Sequence, residues 1–208
     1  MCSAKSDDNP ENKAENNPLS ISLDSTVVTA DIARKAEHRS LSALATLAQN
    51  TASLEVTRPS VTNCPDAGHD IDVRGNVEEV RGLISTLTET VTEDLAFLDS
   101  SAKNGQLQVR FDVKSGKTVS ADMVDSHAAN SSRSPTFQVN LLLLTHPEVK
   151  VTKEAQKRLE VHKENFQNIG VLIDIVPPEG LSRIETQNEA RILTADSDAN
   201  QKNLSKPK

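Results

Sequence analysis

The sequence predicts an α/β domain in which helices flank a mixed central sheet, and three observations carry this prediction. Segments with helical periodicity alternate along the chain with short segments of strand character, which is the pattern of helices that cover a sheet. Residues 137–145 (FQVNLLLLT) form an almost continuous apolar run, typical of a strand that is buried on both faces. Residues 106–114 (QLQVRFDVK) alternate between apolar and polar side chains, which indicates a strand with one face on the core.

The first four elements are predicted in the order helix, strand, strand, helix, over residues 28–50, 54–58, 69–74 and 76–105. Both helices have apolar side chains three and four positions apart, which form one helix face. In the second helix this stripe extends to Leu98. The first strand stops at Pro59, because proline cannot continue a ladder. Asn76 and Glu79 form a capping pair at the start of the second helix.

Five further elements alternate between strand and helix, over residues 107–113, 120–130, 137–145, 152–170 and 171–176. The later helix carries Ala155 and Leu159 on its apolar face, and Gly170 closes it because glycine readily takes the left-handed conformation found at helix ends. The last strand (VLIDIV) precedes two prolines. The alternation predicts a sheet with parallel strands joined by helical crossovers.

Both ends of the chain are expected to be disordered tails, an acidic one over residues 1–25 and a polar one over residues 183–208. They are rich in Ser, Asn and Asp and show almost no apolar periodicity, although Ile184–Leu193 could form a frayed helix. Such segments cannot bury enough apolar surface to offset the loss of chain entropy. The predicted domain therefore spans residues 26–182, with residues 76–105 as a helical insertion, and both tails should be dispensable for folding.

The composition narrows the function classes. The chain of 208 residues has a formal net charge of -7, no Trp, no Tyr and only four Phe. So few aromatic residues argue against single-strand nucleic-acid binding by base stacking. The acidic balance argues against a large surface of phosphate contacts, although the carboxylates of a metal site would account for part of it.

Cysteine content and hydropathy indicate the cellular context. The two cysteines are too few for a disulfide scaffold and lack the spacing of a metal site. No apolar run approaches membrane-spanning length, and the N-terminus has no signal-peptide core. We therefore expect an intracellular protein, cytoplasmic or nuclear rather than secreted, that does not bind a membrane.

Two strands of the predicted sheet carry acidic side chains on their polar faces. Asp112 and Lys114 lie two positions apart, on the same side of the third strand. The second strand presents Asp70 and Asp72 in the same way. Carboxylates beside a lysine can hold a divalent metal ion and a water molecule, which suggests metal-assisted hydrolysis of a phosphodiester. The alternative is a solvated strand face with an incidental ion pair.

An acidic cluster of this kind is costly at neutral pH unless a cation compensates it, because like charges oppose each other's ionisation. A bound metal ion is one source of compensation. Arg74 and Arg110, on the same polar faces, are the other. Of the five histidines, His69 flanks an acidic strand and is the one that we would test as a site residue.

Three segments resemble the Mrr-like restriction endonuclease group of the PD-(D/E)xK nuclease superfamily: residues 66–73 (DAGHDIDV), 109–114 (VRFDVK) and 171–181 (VLIDIVPPEGL). The segment THPEVKVTKEA at residues 145–155 is similar to the family's link between a strand and its helix. The resemblance covers residues 28–181. It implies a restriction-endonuclease-like fold, a Mg²⁺ or Mn²⁺ cofactor and DNA as the partner.

Carried over by position, the resemblance implies a specific set of site residues. Asp72 matches the metal-binding aspartate, and Asp112 and Lys114 match the acid and the lysine of the (D/E)xK motif. The metal ligands would be Asp72, Asp112 and the carbonyl of Val113, with Asp70 and Glu37 as further candidates. Asp72, Asp112 and Lys114 would form the catalytic set, in which the lysine orients or activates the attacking water.

One departure from the family concerns residues 76–105, since the family usually joins its two acidic strands by a tight hairpin. The inserted helix could select a substrate or mediate formation of a homodimer. The sequence thus favours a metal-dependent DNA endonuclease. The alternative is a non-catalytic module on the same fold that binds nucleic acid or a protein partner.

Overall fold

The computed structural model describes residues 19–59 and 70–204, and the side chains of residues 30–59 and 70–194. Its helices are α1 (Leu19–Gln49), α2 (Val77–Thr88), α3 (Ala121–Arg133), α4 (Lys153–Gln167) and α5 (Pro178–Leu204), with a 3₁₀ helix at Thr92–Ser101. Its strands are β1 (Glu55–Thr57), β2 (Ile71–Asn76), β3 (Gln106–Lys114), β4 (Thr118–Val119), β5 (Val139–Leu144), β6 (Lys150–Val151) and β7 (Leu172–Val176). The elements predicted from the sequence occur in the predicted order.

Five strands form a mixed sheet in the order β1–β2–β3–β5–β7. The first three are antiparallel neighbours, and β3, β5 and β7 are parallel neighbours. The α/β class and the mixed sheet are therefore confirmed. The parallel half needs crossover connections, which α3 and α4 supply. In addition, β4 and β6 form a separate parallel pair, which was not predicted.

Two apolar layers enclose the sheet, one on each face. The first joins the sheet to α1, α2 and α5, and its buried side chains include Leu44, Ile84, Phe111, Leu141 and Ile184. The second joins the sheet to α3 and α4, and its buried side chains include Val124, Leu142, Leu144, Ala155 and Leu159. Strand β5 is buried at every position, as its apolar run predicts.

The insertion between β2 and β3 is helical, as predicted, but it is broken in two. The Asn76 side chain accepts a hydrogen bond from the Glu79 amide at 2.8 Å, which confirms the predicted N-cap. Instead of continuing to Leu98, α2 ends at Thr88, because Glu89 takes a left-handed conformation (φ 60°). The chain then resumes as the 3₁₀ helix, whose Leu98 is fully buried.

Helix α5 corrects the predicted domain boundary at residue 182. Ile184 is fully buried in the core, and the Asn188 side chain donates to the carbonyl oxygen of Ala43 at 2.9 Å. Arg39 in α1 binds Glu185 through two contacts of 2.7 and 2.6 Å. The first turns of the predicted polar tail thus belong to the packed domain, because a helix needs few apolar positions to dock one face.

The start of α5 packs closely against the end of α2. Arg183 donates to the carbonyl oxygens of Thr86 (2.6 Å) and Leu87 (2.9 Å) and to the carboxylate of Glu89 (2.7 Å). These bonds satisfy carbonyls that have no partner within α2 itself. Gly180 makes the approach feasible, since a Cβ there would lie 2.3 Å from the carbonyl oxygen of Leu87.

At the amino end, α1 begins at Leu19 rather than at residue 28, so residues 19–25 of the predicted acidic tail are helical. The rest of that tail, residues 60–69, which include Cys64 and His69, and residues 205–208 lie outside the described residues. Within the described part of the chain, no helix combines the length and the apolar character needed to cross a membrane.

Asp174 in β7 gives a testable pH dependence of stability. Burial raises the pKa of this carboxyl, although Lys163, whose Nζ lies 3.0 Å away, acts in the opposite direction. The folded protein then binds the proton more tightly than the unfolded chain does, so stability falls as the pH rises from 3.8 through the raised pKa. Asp174→Asn removes this titration, and its melting temperature relative to the wild type should increase between pH 4 and pH 7.

The Asp174→Asn comparison requires melting curves of both proteins across that pH range. Asn retains the acceptor for the Ile175 amide, which bonds to Oδ1 at 2.8 Å. The opposite trend, in which the variant loses relative stability as the pH rises, would show that the ion pair with Lys163 outweighs burial.

Candidate functional site

The two acidic strands are neighbours in the sheet, as predicted. In their antiparallel pairing Asp72 lies opposite Arg110, and Ile71 lies opposite Phe111. Side chains directly opposite each other share a face, and residues two apart in a strand share it too. Asp72, Asp112 and Lys114 are therefore on one face of the sheet.

Asp70 lies one position before the last residue pair of the ladder, Ile71 with Phe111. Its amide donates to the carbonyl oxygen of Phe111 at 2.8 Å. Its carboxylate Oδ2 accepts the amide of Val113 at 2.7 Å. Asp70 therefore bonds to the two residues of β3 that flank Asp112, whereas Asp72 lies opposite Arg110 and is a diagonal neighbour of Asp112, a separation of about 7–8 Å in such ladders.

Asp112 is buried, with 6 % of its side chain exposed, although its polar strand face predicted exposure. Helices α3 and α4 cover this face: the β5 partner of Asp112 is Leu142, which packs against both. Lys114 Nζ lies 2.5 Å from Asp112 Oδ1, and His127 Nδ1 lies 3.6 Å from Oδ2. Each carboxylate oxygen therefore faces a different basic group.

The carboxyls of Asp70 and Asp112 have pKa values that are shifted in different directions from their ordinary value. Burial acts to raise the pKa of Asp112, but the neighbouring His127 and Lys114 outweigh it and hold that pKa below its ordinary value. Burial raises the pKa of Asp70, and the charges of Asp112 and Glu37 raise it further, against the Val113 amide. Neighbouring carboxyls with divergent pKa values are a common feature of catalytic sites.

Arg110 is the third basic group of the cluster and is fully buried. Burial lowers the pKa of its guanidinium, and the charges of Asp112, Asp72 and Asp70 oppose this shift. The guanidinium thus lies close enough to all three carboxylates to compensate them. Arg74, the other arginine considered from the sequence, donates instead to the Gln106 side chain at 2.7 Å.

The carbonyl of Val113 points toward the Asp70 side of β3. The next carbonyl, of Lys114, accepts from the amide and the hydroxyl of Thr145 at 3.0 and 3.2 Å, beside β5. Successive carbonyls of a strand point to opposite sides. The Val113 amide, which bonds to Asp70, also points toward β2. An oxygen donor from the backbone is therefore directed to the side of β3 on which Asp70 lies.

Glu37, the glutamate expected from the first helix, is near this group but has its own partner. Its Oε2 lies 3.0 Å from Nη2 of Arg58. Its charge nevertheless contributes to the raised pKa of Asp70, so the two carboxylates are within electrostatic range. Glu37 belongs to the surroundings of the site and supplies negative charge at its edge.

Oxygen donors of the site match the chemistry of a hard divalent cation. The described residues contain no group of three or more His, Cys, Asp or Glu side chains that could hold a metal ion. Asp70, Asp112 and the Val113 carbonyl supply two carboxylates and one backbone oxygen. Donors of this kind are the ones that Mg²⁺ prefers, since the ion usually keeps several waters and binds one or two carboxylates.

His127 is the site residue that the sequence did not single out. It lies in α3 on a buried stripe that it shares with Val124, Ala128 and Ser131. The stripe has the spacing of one helix face, and a histidine in the middle of such a stripe is the signal that could have indicated it. By contrast, His162 in α4 forms a hydrogen bond with Asp125 in α3 at 2.7 Å, and its partner is not one of the acidic strand residues.

Comparison with protein-family profiles, with curated proteins and with solved structures finds no match to this chain. The function must therefore be argued from the geometry and the chemistry of the site itself.

Proposed function

We propose that this domain is a metal-dependent endonuclease of the restriction-endonuclease-like, PD-(D/E)xK kind, which hydrolyses phosphodiester bonds of DNA. The observation that carries the proposal is the grouping of Asp70, bound to the Val113 amide, with Asp112 and Lys114 on β3. Carboxylates beside a lysine can hold a divalent cation and a water molecule for hydrolysis of a phosphodiester.

The strand order supports the same proposal. A helix and an antiparallel β1–β2–β3 unit precede alternating helices and parallel strands, which agrees with the order implied by the Mrr-like resemblance. The inserted α2 lengthens the connection between β2 and β3 without separating the two strands. A fold-level likeness is only analogy, so the site residues carry the weight.

Roles in the reaction follow from the contacts. Asp70, Asp112 and the carbonyl of Val113 would hold Mg²⁺ or Mn²⁺, which when bound neutralises charge on the phosphate and polarises it. Lys114 is about one-third exposed, so its ammonium can reach a phosphate oxygen or orient a water molecule. Asp112, with its lowered pKa, remains ionised at neutral pH and binds that ammonium through Oδ1.

Exposed lysines near the site supply contacts for the DNA backbone. Lys117 is 70 % exposed and lies in the turn that follows Lys114. Lys150 is exposed in β6, and its amide bonds to the carbonyl oxygen of Lys117 at 2.9 Å. Such lysines would bind phosphates without reading sequence.

The direct test is cleavage by the purified full chain. Plasmid and linear duplex DNA are incubated with Mg²⁺, Mn²⁺, Ca²⁺ or a chelator, and products are separated on a gel. Cleavage is expected with Mg²⁺ or Mn²⁺ and not with Ca²⁺ or chelator. No cleavage of DNA or RNA, together with no Mn²⁺ binding, would overturn the proposal.

We propose Asp70 rather than Asp72 as the metal ligand on β2, and an isosteric pair of variants tests this. Asp70→Asn should lose cleavage and Mn²⁺ binding, because it removes the carboxylate that bonds to β3 at Val113, next to Asp112. Asp72→Asn, on the same strand and face, should retain most of both. Cleavage rates and Mn²⁺ affinities of the two variants are compared with the wild type, and the reverse result would assign the metal to Asp72.

A second candidate function is a non-catalytic module of the same fold that binds nucleic acid or a protein partner. The observation that favours it is the buried Arg110 close to Asp70, Asp72 and Asp112, since a guanidinium compensates these acids without a metal ion. Mn²⁺ binding separates the two functions: the endonuclease binds the ion at the Asp70–Asp112 pair, and the module does not.

A further inference from the structure

The imidazole of His127 lies at the site but has no role in the proposed reaction. The residue is 2 % exposed. Neither ring nitrogen has a hydrogen-bond partner within residues 30–59 and 70–194. Its Nδ1 faces Asp112 Oδ2 at 3.6 Å. A buried ring nitrogen that makes no hydrogen bond costs free energy, so this placement needs a compensating interaction, and the Asp112 carboxylate is the group that it faces.

Helix α3 holds the ring in that place. The hydroxyl of Ser120 accepts a hydrogen bond from the Met123 amide at 3.3 Å and caps the helix. Val124 and Ala128, which precede and follow His127 in the helix, are buried, with 1 % and 3 % of their surface exposed. A core helix face of this kind moves little. The position of His127 beside Asp112 is therefore set by the packing of α3.

The two contacts of Asp112 differ in how firmly they are anchored. Lys114 reaches Oδ1 through a long side chain that is 36 % exposed, and it can exchange that contact for solvent or for a phosphate. His127 reaches Oδ2 from inside the core. The 3.6 Å separation exceeds a hydrogen bond, but a shift of roughly 0.5 Å would form one, and such bonds often tighten only when a site is filled.

We infer that His127 is a positioning residue: it holds the Asp112 carboxylate through Oδ2, so that Oδ1 stays directed at the position a divalent cation would take. This inference rests on the proposed function for its effect on cation binding. Partners that orient a ligating carboxylate typically change metal affinity by about 10–100-fold when removed. The carboxylate conformation itself should depend on His127 whether or not a metal binds.

The experiment compares His127→Leu, which removes both ring nitrogens, with His127→Gln, which restores a polar group of similar reach. His162→Leu is the matched control, since it removes another histidine–aspartate contact between α3 and α4. Mn²⁺ affinity is measured by electron paramagnetic resonance on the full chain, with thermal unfolding recorded for each variant. We expect about 10–100-fold weaker Mn²⁺ binding for His127→Leu, recovery of most of it by His127→Gln, and no change for His162→Leu.

A second measurement does not need the metal. Three-bond NMR couplings to Cγ of Asp112 report its side-chain rotamer in the metal-free protein. They should show one rotamer in the wild type and in His127→Gln, and averaging over several in His127→Leu. If the leucine variant does not fold, His127→Ala takes its place in both measurements.

The outcomes separate the inference from the proposed function. A wild-type protein that does not bind Mn²⁺ would overturn the proposed function. The NMR couplings of Asp112 would then be the only test of the inference about His127. Unchanged couplings in His127→Leu overturn the inference. So does an affinity equal to that of the wild type, or a loss in His127→Gln as large as in His127→Leu, which would show that the ring only fills space.

Discussion

Asp112→Asn should abolish DNA cleavage. The substitution removes a charged ligand from the proposed metal site and the partner of Lys114, which lies 2.5 Å from Oδ1. We expect cleavage to fall at least about a thousandfold, which corresponds to roughly 4 kcal/mol of transition-state stabilisation. Initial rates on duplex DNA with Mg²⁺ or Mn²⁺ measure the effect. Retention of full activity would exclude this site as the catalytic one.

The same substitution should also lower stability, which the cleavage assay must take into account. Asp112 is 4 % exposed, and its charge helps to compensate the buried Arg110. Removal of one partner from a buried charge pair is destabilising, so we expect a loss of roughly 5 °C in melting temperature. Assays should be run well below the melting temperature of the variant, with circular dichroism to confirm that it is folded.

Lys114→Ala separates the chemical step from cation binding. Loss of the ammonium should reduce cleavage strongly, because its Nζ lies 2.5 Å from Asp112 Oδ1, where it can orient a water molecule or contact a phosphate oxygen. Mn²⁺ affinity should be kept or increased, since the substitution removes a positive charge that competes for that oxygen. Loss of cleavage together with loss of Mn²⁺ binding would show that the lysine supports the structure of the site instead.

Truncation within α5 should have the largest effect on stability. A chain that ends at Leu193 keeps every described contact of α5 with α1 and α2, and its melting temperature should match that of the full chain. A chain that ends at Arg183 loses the buried Ile184, the Asn188 bond to Ala43 and the Glu185 pair with Arg39. Deletion of a buried isoleucine side chain alone costs about 2–5 kcal/mol.

Against a total stability of about 5–15 kcal/mol, the truncation at Arg183 should lower the melting temperature by roughly 10 °C or more. Thermal unfolding of both truncated chains and the full chain tests this. Ile184→Ala in the full chain is the point-mutation control. Equal melting temperatures for the two truncated chains would mean that the described docking of α5 contributes nothing.

The sequence predicted the order of elements because the periodicities of helices and strands are local properties. It also predicted that the two acidic strands are neighbours, with Asp72, Asp112 and Lys114 on one face of the sheet. It could not show which of Asp70 and Asp72 bonds to β3 next to Asp112. A register shift of one residue would move side chains to the other face, but a shift of two leaves every face unchanged. Only the long-range pairing of Ile71 with Phe111 removes that ambiguity.

Other parts of the site depend on tertiary contacts that leave a weak signal in the sequence. Asp112 was expected on an exposed polar face, yet α3 and α4 cover it, and alternation along a strand does not indicate what packs on top. His127 was passed over for the same reason. Beyond Leu181, docking of α5 relies on the buried side chains of Ile184 and Asn188, separated by polar residues, so composition alone suggested a tail.

The pairing of α1 with α5 has a consequence for biosynthesis. Arg39 and Glu185 are 146 positions apart, and the first helix therefore finds its neighbour only when the ribosome has made nearly the whole domain. Chains are synthesised from the amino end and fold as cooperative units. Until α5 emerges, the apolar side of α1 with Leu44 and Leu47 lacks part of its cover, and a nascent chain stalled before residue 184 would expose it to chaperones and proteases.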